Sequence, residues 1–408
     1  MKLSERHARA VPYIIWVLRI IVGATFIFSG FSKVADPWGF IYKIEEYLQV
    51  WGIGGISREL MLCCALGLST AEFTIGALIA GGCLRRMAVW TAGIFMAVML
   101  PLTAWIMIAD PVADCGCFGD ALVISNTATF LKNIALTLMV VYLLKYNRHA
   151  SCLFLPLSQW IIGASSIIYC IIIGLVGYLV QPVVDFRPYP LGTDLAASPD
   201  DSDIRLIYSK DGRQEYFSVD SLPDDTWEYV GRTATAQGTE NNLHLAIFDG
   251  DDDVTASVIE PEGEQMLLLV ANPEFHGRAR SGMANQISRH ISDRGGSMIA
   301  VVATHPDSVA AWTDKVQPEY DVYTSEDTSL KELARGDASL VYLTDGKIRW
   351  KRNIYSLPGD FPDNSPEAFT EVYAVDSGTF IYAITLGFAA VLILVFCMRF
   401  LRRKKRVA

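Results

Sequence analysis

Apolar positions in this chain gather into long blocks, separated by short charged stretches. A helix needs about 20 apolar residues to cross a hydrocarbon core. Six segments qualify: 12–31, 60–84, 87–108, 126–144, 157–180 and 379–400. Pro101 is expected to kink the third. The first block is too long for a cleavable leader, and Phe31-Ser32-Lys33 does not resemble a small-residue cleavage site.

Between residues 181 and 378 the rhythm changes. Residues 203–208 alternate like a strand, Lys210-Asp211-Gly212-Arg213 reads as a turn, and residues 214–219 read as the partner strand. Residues 243–248 form a further strand. Gln265 to Val270 and Met298 to Val302 are unbroken apolar runs, as in strands buried on both faces. Residues 278–293 and 307–315 have helical character. Thr344-Asp345-Gly346 joins two strands into a hairpin. This strand–helix–strand–helix–hairpin order resembles the thioredoxin fold. That fold usually carries Cys-x-x-Cys after its first such strand, where this chain has Asn272 to His276. A cis-proline usually opens the hairpin, where Ala338 and Ser339 stand here. No cysteine occurs between Cys170 and Cys397. The resemblance therefore implies a binding or docking domain without its own redox chemistry.

Charge adds orientation. Lys2, Arg6, Arg9, Arg85, Arg86, Lys145, Arg148 and the basic run Arg399 to Arg406 all fall on one side of a six-helix arrangement. Lys and Arg accumulate on the cytoplasmic side. Both termini are thus expected in the cytoplasm, and segments 33–59, 111–125 and 181–378 outside. The basic tail has a topogenic role, with binding of anionic membrane lipid as the alternative. A net charge of −10, without a basic groove, excludes nucleic acid as a partner.

The acidic stretch Asp249-Gly250-Asp251-Asp252-Asp253 with Glu260 matches several positions of a calcium-binding loop. Val254 stands where that loop needs glycine, so a hairpin turn between strands 243–248 and 254–259 is expected. No metal is assigned.

Cysteines and buried charges carry the candidate chemistry. Asp114-Cys115-Gly116-Cys117-Phe118-Gly119-Asp120 places two sulfurs around one glycine. A disulfide there closes a strained ring, and strained disulfides exchange readily. Glycines 116 and 119 are expected to turn the backbone and expose the sulfurs. The neighbouring aspartates raise a thiol pKa. A structural staple is the competing reading; a metal site lacks a nearby histidine. Cys63 and Cys64 lie at the outer start of the second block. Adjacent cysteines there are ordinarily packing residues; the alternative is a second redox station meeting the first at one membrane depth. Cys83, Cys152 and Cys397 fall near the cytoplasmic side, where thiols stay reduced. Cys170 is a packing residue.

Arg19, Glu72 and Lys132 sit inside apolar blocks, where ionisable groups face a partner or a cavity. A pair of Arg19 with Glu72 is the structural expectation; a proton or quinone site is the functional one. Gly67 and Gly76 suggest close helix packing around Glu72.

Leu18-Arg19-Ile20 through Ser29-Gly30-Phe31-Ser32-Lys33 with Asp36-Pro37, then Ala71-Glu72 with Gly76, resemble the first two helices of DoxX-type membrane proteins. The Cys-Gly-Cys-Phe-Gly stretch and Lys132-Asn133 resemble the related MauE branch, named for methylamine utilisation. Asp185-Phe186-Arg187-Pro188-Tyr189 and the cysteine-free outer domain resemble the larger, Bacteroidetes-type members. The resemblance covers residues 11–144. It implies a four-helix core in a bacterial inner membrane and a link to envelope redox chemistry, including quinone-linked subunits.

The expected architecture is a polytopic α-helical membrane protein with an α/β thioredoxin-like soluble domain. Its parts are a four-helix core (1–150), a fifth helix (151–182), a β-rich region (183–262), the thioredoxin-like domain (263–376) and a sixth helix with a basic tail (377–408). Two functions fit. One is a thiol–disulfide oxidoreductase using Cys115, Cys117, Cys63 and Cys64 on periplasmic or translocating client proteins, with Arg19, Glu72 and Lys132 lining a quinone site. The other is a non-catalytic subunit of an envelope export, folding or assembly complex. No broken-helix pair or inverted repeat supports a transporter.

Overall fold

The computed structural model describes residues 5–149, 152, 154–197, 204–210, 213–218, 227–234, 245–272, 278–303, 306–357 and 377–407. The chain divides into two units, residues 1–186 with 376–408, and residues 187–375.

The first unit is helical. It contains α1 (Glu5–Ala35), α2 (Pro37–Val50), α3 (Arg58–Gly81), α4 (Arg85–Ala109), α5 (Asn126–Tyr146), α6 (Pro156–Leu179) and, after the second unit, α11 (Ser377–Val407). Among the described residues, six helices (all of these except α2) are long and apolar enough to cross a membrane. They correspond to the six expected blocks, and α4 continues through Pro101. Two of the starts are fixed by side-chain caps. Ser57 and Ser125 cap α3 and α5 by accepting from the backbone amides of Leu60 and Ala128, both at 3.4 Å. Gly82 ends α3 in the left-handed conformation at φ 64°.

Helix α2 was not expected. It is too short to span and is amphipathic, burying Pro37, Trp38 and Ile41. Asp36 caps it by accepting from the Gly39 amide at 3.0 Å, and Pro37 occupies the first turn.

Helices α1 and α3 approach backbone to backbone. A Cβ on Gly76 would lie 2.6 Å from the Ile27 nitrogen, and one on Gly30 would lie 2.4 Å from the Phe73 nitrogen. Gly76 thus makes the close approach expected of it. Gly67 does not: nothing lies within 4 Å of a Cβ there.

In the second unit, β1 (Ile204–Lys210), β2 (Arg213–Ser218) and β3 (Glu228–Ala234) form an antiparallel sheet in the order β2-β1-β3. The larger sheet holds β4 (Phe248–Asp249), β5 (Asp252–Asp253), β6 (Glu264–Val270), β7 (Ser297–Ala303), β8 (Asp321–Ser325), β9 (Ala338–Thr344) and β10 (Lys347–Asn353). Its order is β10-β9-β6-β7-β8-β4-β5. Strands β6, β7 and β8 are parallel, whereas β9 and β10 run antiparallel to their neighbours. Helices α8 (Arg278–Asp293) and α9 (Pro306–Val316) occupy the expected crossovers, and α10 (Asp327–Leu333) links β8 to β9. Strand β8 with α10 is an addition to the expected order.

Strand β6 is buried on both faces, as its apolar run requires. Met266, Leu268 and Val270 pack with Ile287 of α8 and Trp312 of α9. Leu267 and Leu269 pack on the opposite side with Ile247 and Leu330. Asp345 and Gly346 turn the β9–β10 hairpin at φ 51° and 71°, the positive-φ pair that such two-residue turns demand. Asp249 to Asp253 forms a hairpin turn, as expected. The strand expected at 254–259 is instead a helical turn, α7 (Thr255–Val258), whose start is fixed by the Asp253 carboxylate accepting from the Thr255 amide at 3.0 Å. Of the strand expected at 243–248 only Phe248 lies in a strand, β4, with residues 243 and 244 outside the described set. Residues 273–277 of the expected turn after β6 also lie outside it.

Candidate functional site

The site sits where α1, α3, α5 and the segment between α4 and α5 converge. Cys115 and Cys117 are both buried, with their Sγ atoms 2.9 Å apart. Gly116 between them has φ 67°, and a Cβ there would strike the Lys43 side chain at 2.8 Å. Only glycine permits this turn and this approach. Three further contacts hold the segment. Lys43 Nζ meets Asp114 Oδ1 at 2.9 Å, and Asp114 Oδ2 accepts from the Gly116 amide at 2.7 Å. Tyr47 Oη donates to the Cys115 carbonyl at 3.0 Å.

The sulfurs are not exposed as the sequence suggested. The segment folds inward and packs Cys115 and Cys117 against Ile106, Val112 and Met99. Phe118 anchors it, 5.3 Å from the Phe28 ring and with Lys132 Nζ 4.0 Å above its own ring.

Lys33 of α1 and Glu72 of α3 form a buried ion pair at 2.8 Å. The Ser29 hydroxyl lies 2.6 Å from Glu72 Oε2 and 2.6 Å from the Cys117 carbonyl oxygen, and accepts from Lys33 Nζ at 3.1 Å. One hydroxyl carries one proton, so Ser29 donates to only one of these two oxygens at a time.

Two cavities share this wall. One is apolar and about 450 Å³, framed by Phe40, Tyr47, Trp51 and Phe95, with Lys33, Glu72, Cys115 and Cys117 also lining it. The other is about 30 Å³, the size of a single water, and is lined by Ser29, Lys33, Glu72, Cys117, Lys132 and Asn133.

Electrostatics distinguish the two sulfurs. The hydrogen bond from Cys115 lowers the Cys117 thiol pKa, and the positive charges of Lys132 and Lys33 act in the same sense against burial. The same hydrogen bond raises Cys115, with burial adding to it. The aspartates do not dominate as expected: Lys43 engages Asp114, and the lysines that act on the sulfurs are Lys132 and, for Cys117, Lys33. Burial also raises the Tyr47 phenol, which keeps it a donor.

The expected site residues therefore separate. Glu72, Lys132 and Cys117 line one cavity, and Cys115 adjoins them. Arg19 does not pair with Glu72. Its Nε donates to Asn147 Oδ1 at 3.0 Å, and 14 residues of helix, about 21 Å, separate it from Lys33, which takes the carboxylate. Cys63 and Cys64 are exposed on α3 and line neither cavity. Eight residues, about 12 Å of helix, separate Cys64 from Glu72, so the two outer cysteine pairs do not meet. Cys170 is buried in packing. Lys33, Ser29 and Tyr47 were missed. Lys33 and Ser29 carried a usable signal, since residues four apart share one helix face.

Residues 11–146 match the family model described as methylamine utilisation protein MauE. Residues 202–235 match a domain of unknown function, DUF8463, over the segment that holds β1, β2 and β3. No curated protein and no solved structure matches the chain.

Proposed function

We propose that this membrane protein is a thiol–disulfide redox protein of the bacterial inner membrane, with Cys115 and Cys117 as its exchanging pair and periplasmic proteins as its clients. The similarity of residues 11–146 to MauE supports a membrane protein with an accessory role in redox chemistry or methylamine utilisation. The observation that carries the finer reading is the pair of adjacent sulfurs, 2.9 Å apart, on the wall of an apolar cavity. The lowered pKa of Cys117 makes it the better leaving sulfur when a client thiolate attacks the Cys115–Cys117 disulfide, which places the mixed disulfide on Cys115. Exchange turns a client dithiol into a client disulfide and leaves Cys115 and Cys117 reduced.

Reoxidation of that pair requires an acceptor for two electrons and two protons. The cavity's aromatic walls and its lysine suit a quinone, which would supply that capacity when bound. Ser29, Lys33 and Glu72, hydrogen-bonded to one another beside the pair, offer a path for the protons that leave it. The soluble unit, read as a thioredoxin-like domain lacking Cys-x-x-Cys, holds clients on the periplasmic side without chemistry of its own.

A second reading rests on the absence of cysteine between Cys170 and Cys397: an accessory subunit whose soluble domain docks a partner, with Cys115 and Cys117 as a staple. Alkylation of intact cells carrying wild type, Cys115→Ser or Cys117→Ser separates the two. A wild-type pair that cycles between thiol and disulfide, and a variant that traps a mixed disulfide with another protein, support exchange. A pair fixed in one state, with variants that trap nothing, sinks it.

A further inference from the structure

The arginine-rich end of the membrane unit brings together two cysteines that lie far apart in sequence. Cys83 follows the left-handed cap Gly82 and is fully buried. Cys152 lies in the link between α5 and α6 and is half-buried. Both sulfurs lie against Gly81: Cys152 Sγ is 3.9 Å from its carbonyl oxygen, and a Cβ on Gly81 would lie 3.1 Å from Cys83 Sγ. Gln159 of α6 holds the two links together. Its Oε1 accepts from the Leu84 amide at 2.8 Å, and its Nε2 donates to the Phe154 carbonyl at 3.4 Å. A Cβ on Gly81 would meet both Cys83 Sγ and the Phe154 ring at 3.1 Å, so the chain is pared down around the pair.

The surroundings of Cys152 suit a thiolate. The Phe154 amide donates to its sulfur at 3.3 Å. Arg19 and Arg85 both act on it electrostatically. Asn147 fixes these two elements together, accepting from Arg19 Nε and donating to the Arg85 carbonyl at 3.0 Å. The neighbouring Cys83 thiol lowers the Cys152 thiol pKa against burial, with the Phe154 amide and the two arginines adding to it. Reactive cysteines occupy such electropositive, partly exposed positions. Arg19, which the sequence assigned to Glu72, serves this second centre.

We infer that Cys83 and Cys152 form a second thiol–disulfide exchange site, independent of Cys115 and Cys117, that reacts with small or protein disulfides at the arginine-rich end. Cys152 thiolate attacks one sulfur of the incoming disulfide, forming a mixed disulfide and releasing one thiolate. Cys83, giving its proton to that thiolate, then attacks the Cys152 sulfur and releases the second sulfur as thiolate, which takes its proton from water. The pair loses two electrons to the incoming disulfide, which leaves as two thiols.

The test uses the full chain, purified and reduced in detergent, then equilibrated with mixtures of reduced and oxidised glutathione. Peptide mapping should find a Cys83-to-Cys152 linkage that appears and disappears with the glutathione ratio, unchanged in the Cys115→Ser variant. Cys83→Ser should accumulate a glutathione adduct on Cys152 at about ten times the rate at exposed Cys397, and Arg19→Met should slow that adduct. The inference fails if no linkage forms at the most oxidising ratio, if Cys152 links to a different cysteine, or if the adduct on Cys152 forms no faster than on Cys397. Cys152→Ser, monitored in the same way, should leave residue 83 without adduct; an adduct there would equally overturn the assignment.

Discussion

Lys33 Nζ sits 2.8 Å from Glu72 Oε2, and neither side chain is more than 5% exposed. This pair ties α1 to α3 and forms part of the wall of both cavities. Removing one partner leaves an uncompensated buried charge, which costs about 3–5 kcal/mol. Glu72→Gln should therefore lower the thermal stability of the detergent-purified chain strongly. Lys33→Met combined with Glu72→Leu removes both charges and should recover most of the loss. A double variant as unstable as the single one would show that the pair does not act as a unit.

The contact between α1 and α3 depends on Gly30 and Gly76, because any Cβ there meets backbone atoms of the facing helix. Gly76→Ala should destabilise the chain by about 1–3 kcal/mol and loosen the Lys33 contact with Glu72. Gly67→Ala, in open space on the same helix, should be neutral or slightly stabilising. Melting temperatures of the two variants side by side check this contrast. Equal losses would mean that helix propensity, not close approach, decides.

The membrane helices were legible in the sequence because hydrocarbon imposes length and apolarity on every span. The thiol pair was legible because two cysteines around one glycine draw attention to themselves. The partner of Glu72 was not. Arg19 and Lys33 lie on the same helix, both buried, and only the depth at which α3 packs decides which of them meets the carboxylate. Lys33 stands just beyond the apolar block, so it read as a loop residue. Helix α2 escaped because its apolar face is short and serves to cover the cysteine segment through Lys43 and Tyr47. The β9–β10 hairpin was legible from Asp345 and Gly346 alone. The short helix after Asp253 was not, since its cause is a local cap and its segment is no more polar than a strand.

In the soluble unit, Trp350 is 1% exposed and stacks on Tyr342 with ring centroids 5.6 Å apart. Large-to-small changes of a buried aromatic cost about 3–5 kcal/mol. Trp350→Ala should make residues 187–375 of the full chain much more susceptible to limited proteolysis, while the reactivity of Cys115 and Cys117 stays as in wild type. If that reactivity changed in parallel, the two units would not be independent in stability.

Lys132 offers the sharpest test of the chemistry at Cys117. Its ammonium lies over the Phe118 ring and favours the charged form of the adjacent sulfur. A thiol whose pKa is lowered keeps its thiolate toward lower pH. Removing a cation that lowers it moves the titration upward. Lys132→Met should therefore slow alkylation of Cys117 by a small membrane-permeant maleimide at pH 7, and the deficit should shrink as the pH rises toward 9, where the thiolate forms without help. Lys132→Arg retains the charge and should behave nearly as wild type. The comparison is best made in the Cys115→Ser background, with labelling at Cys117 read by mass spectrometry, so that one sulfur is followed. A deficit that persists unchanged at pH 9 would mean that Lys132 governs access to the sulfur and not its charge. Lys132 would then pass from the electrostatics of Cys117 to the packing of Phe118.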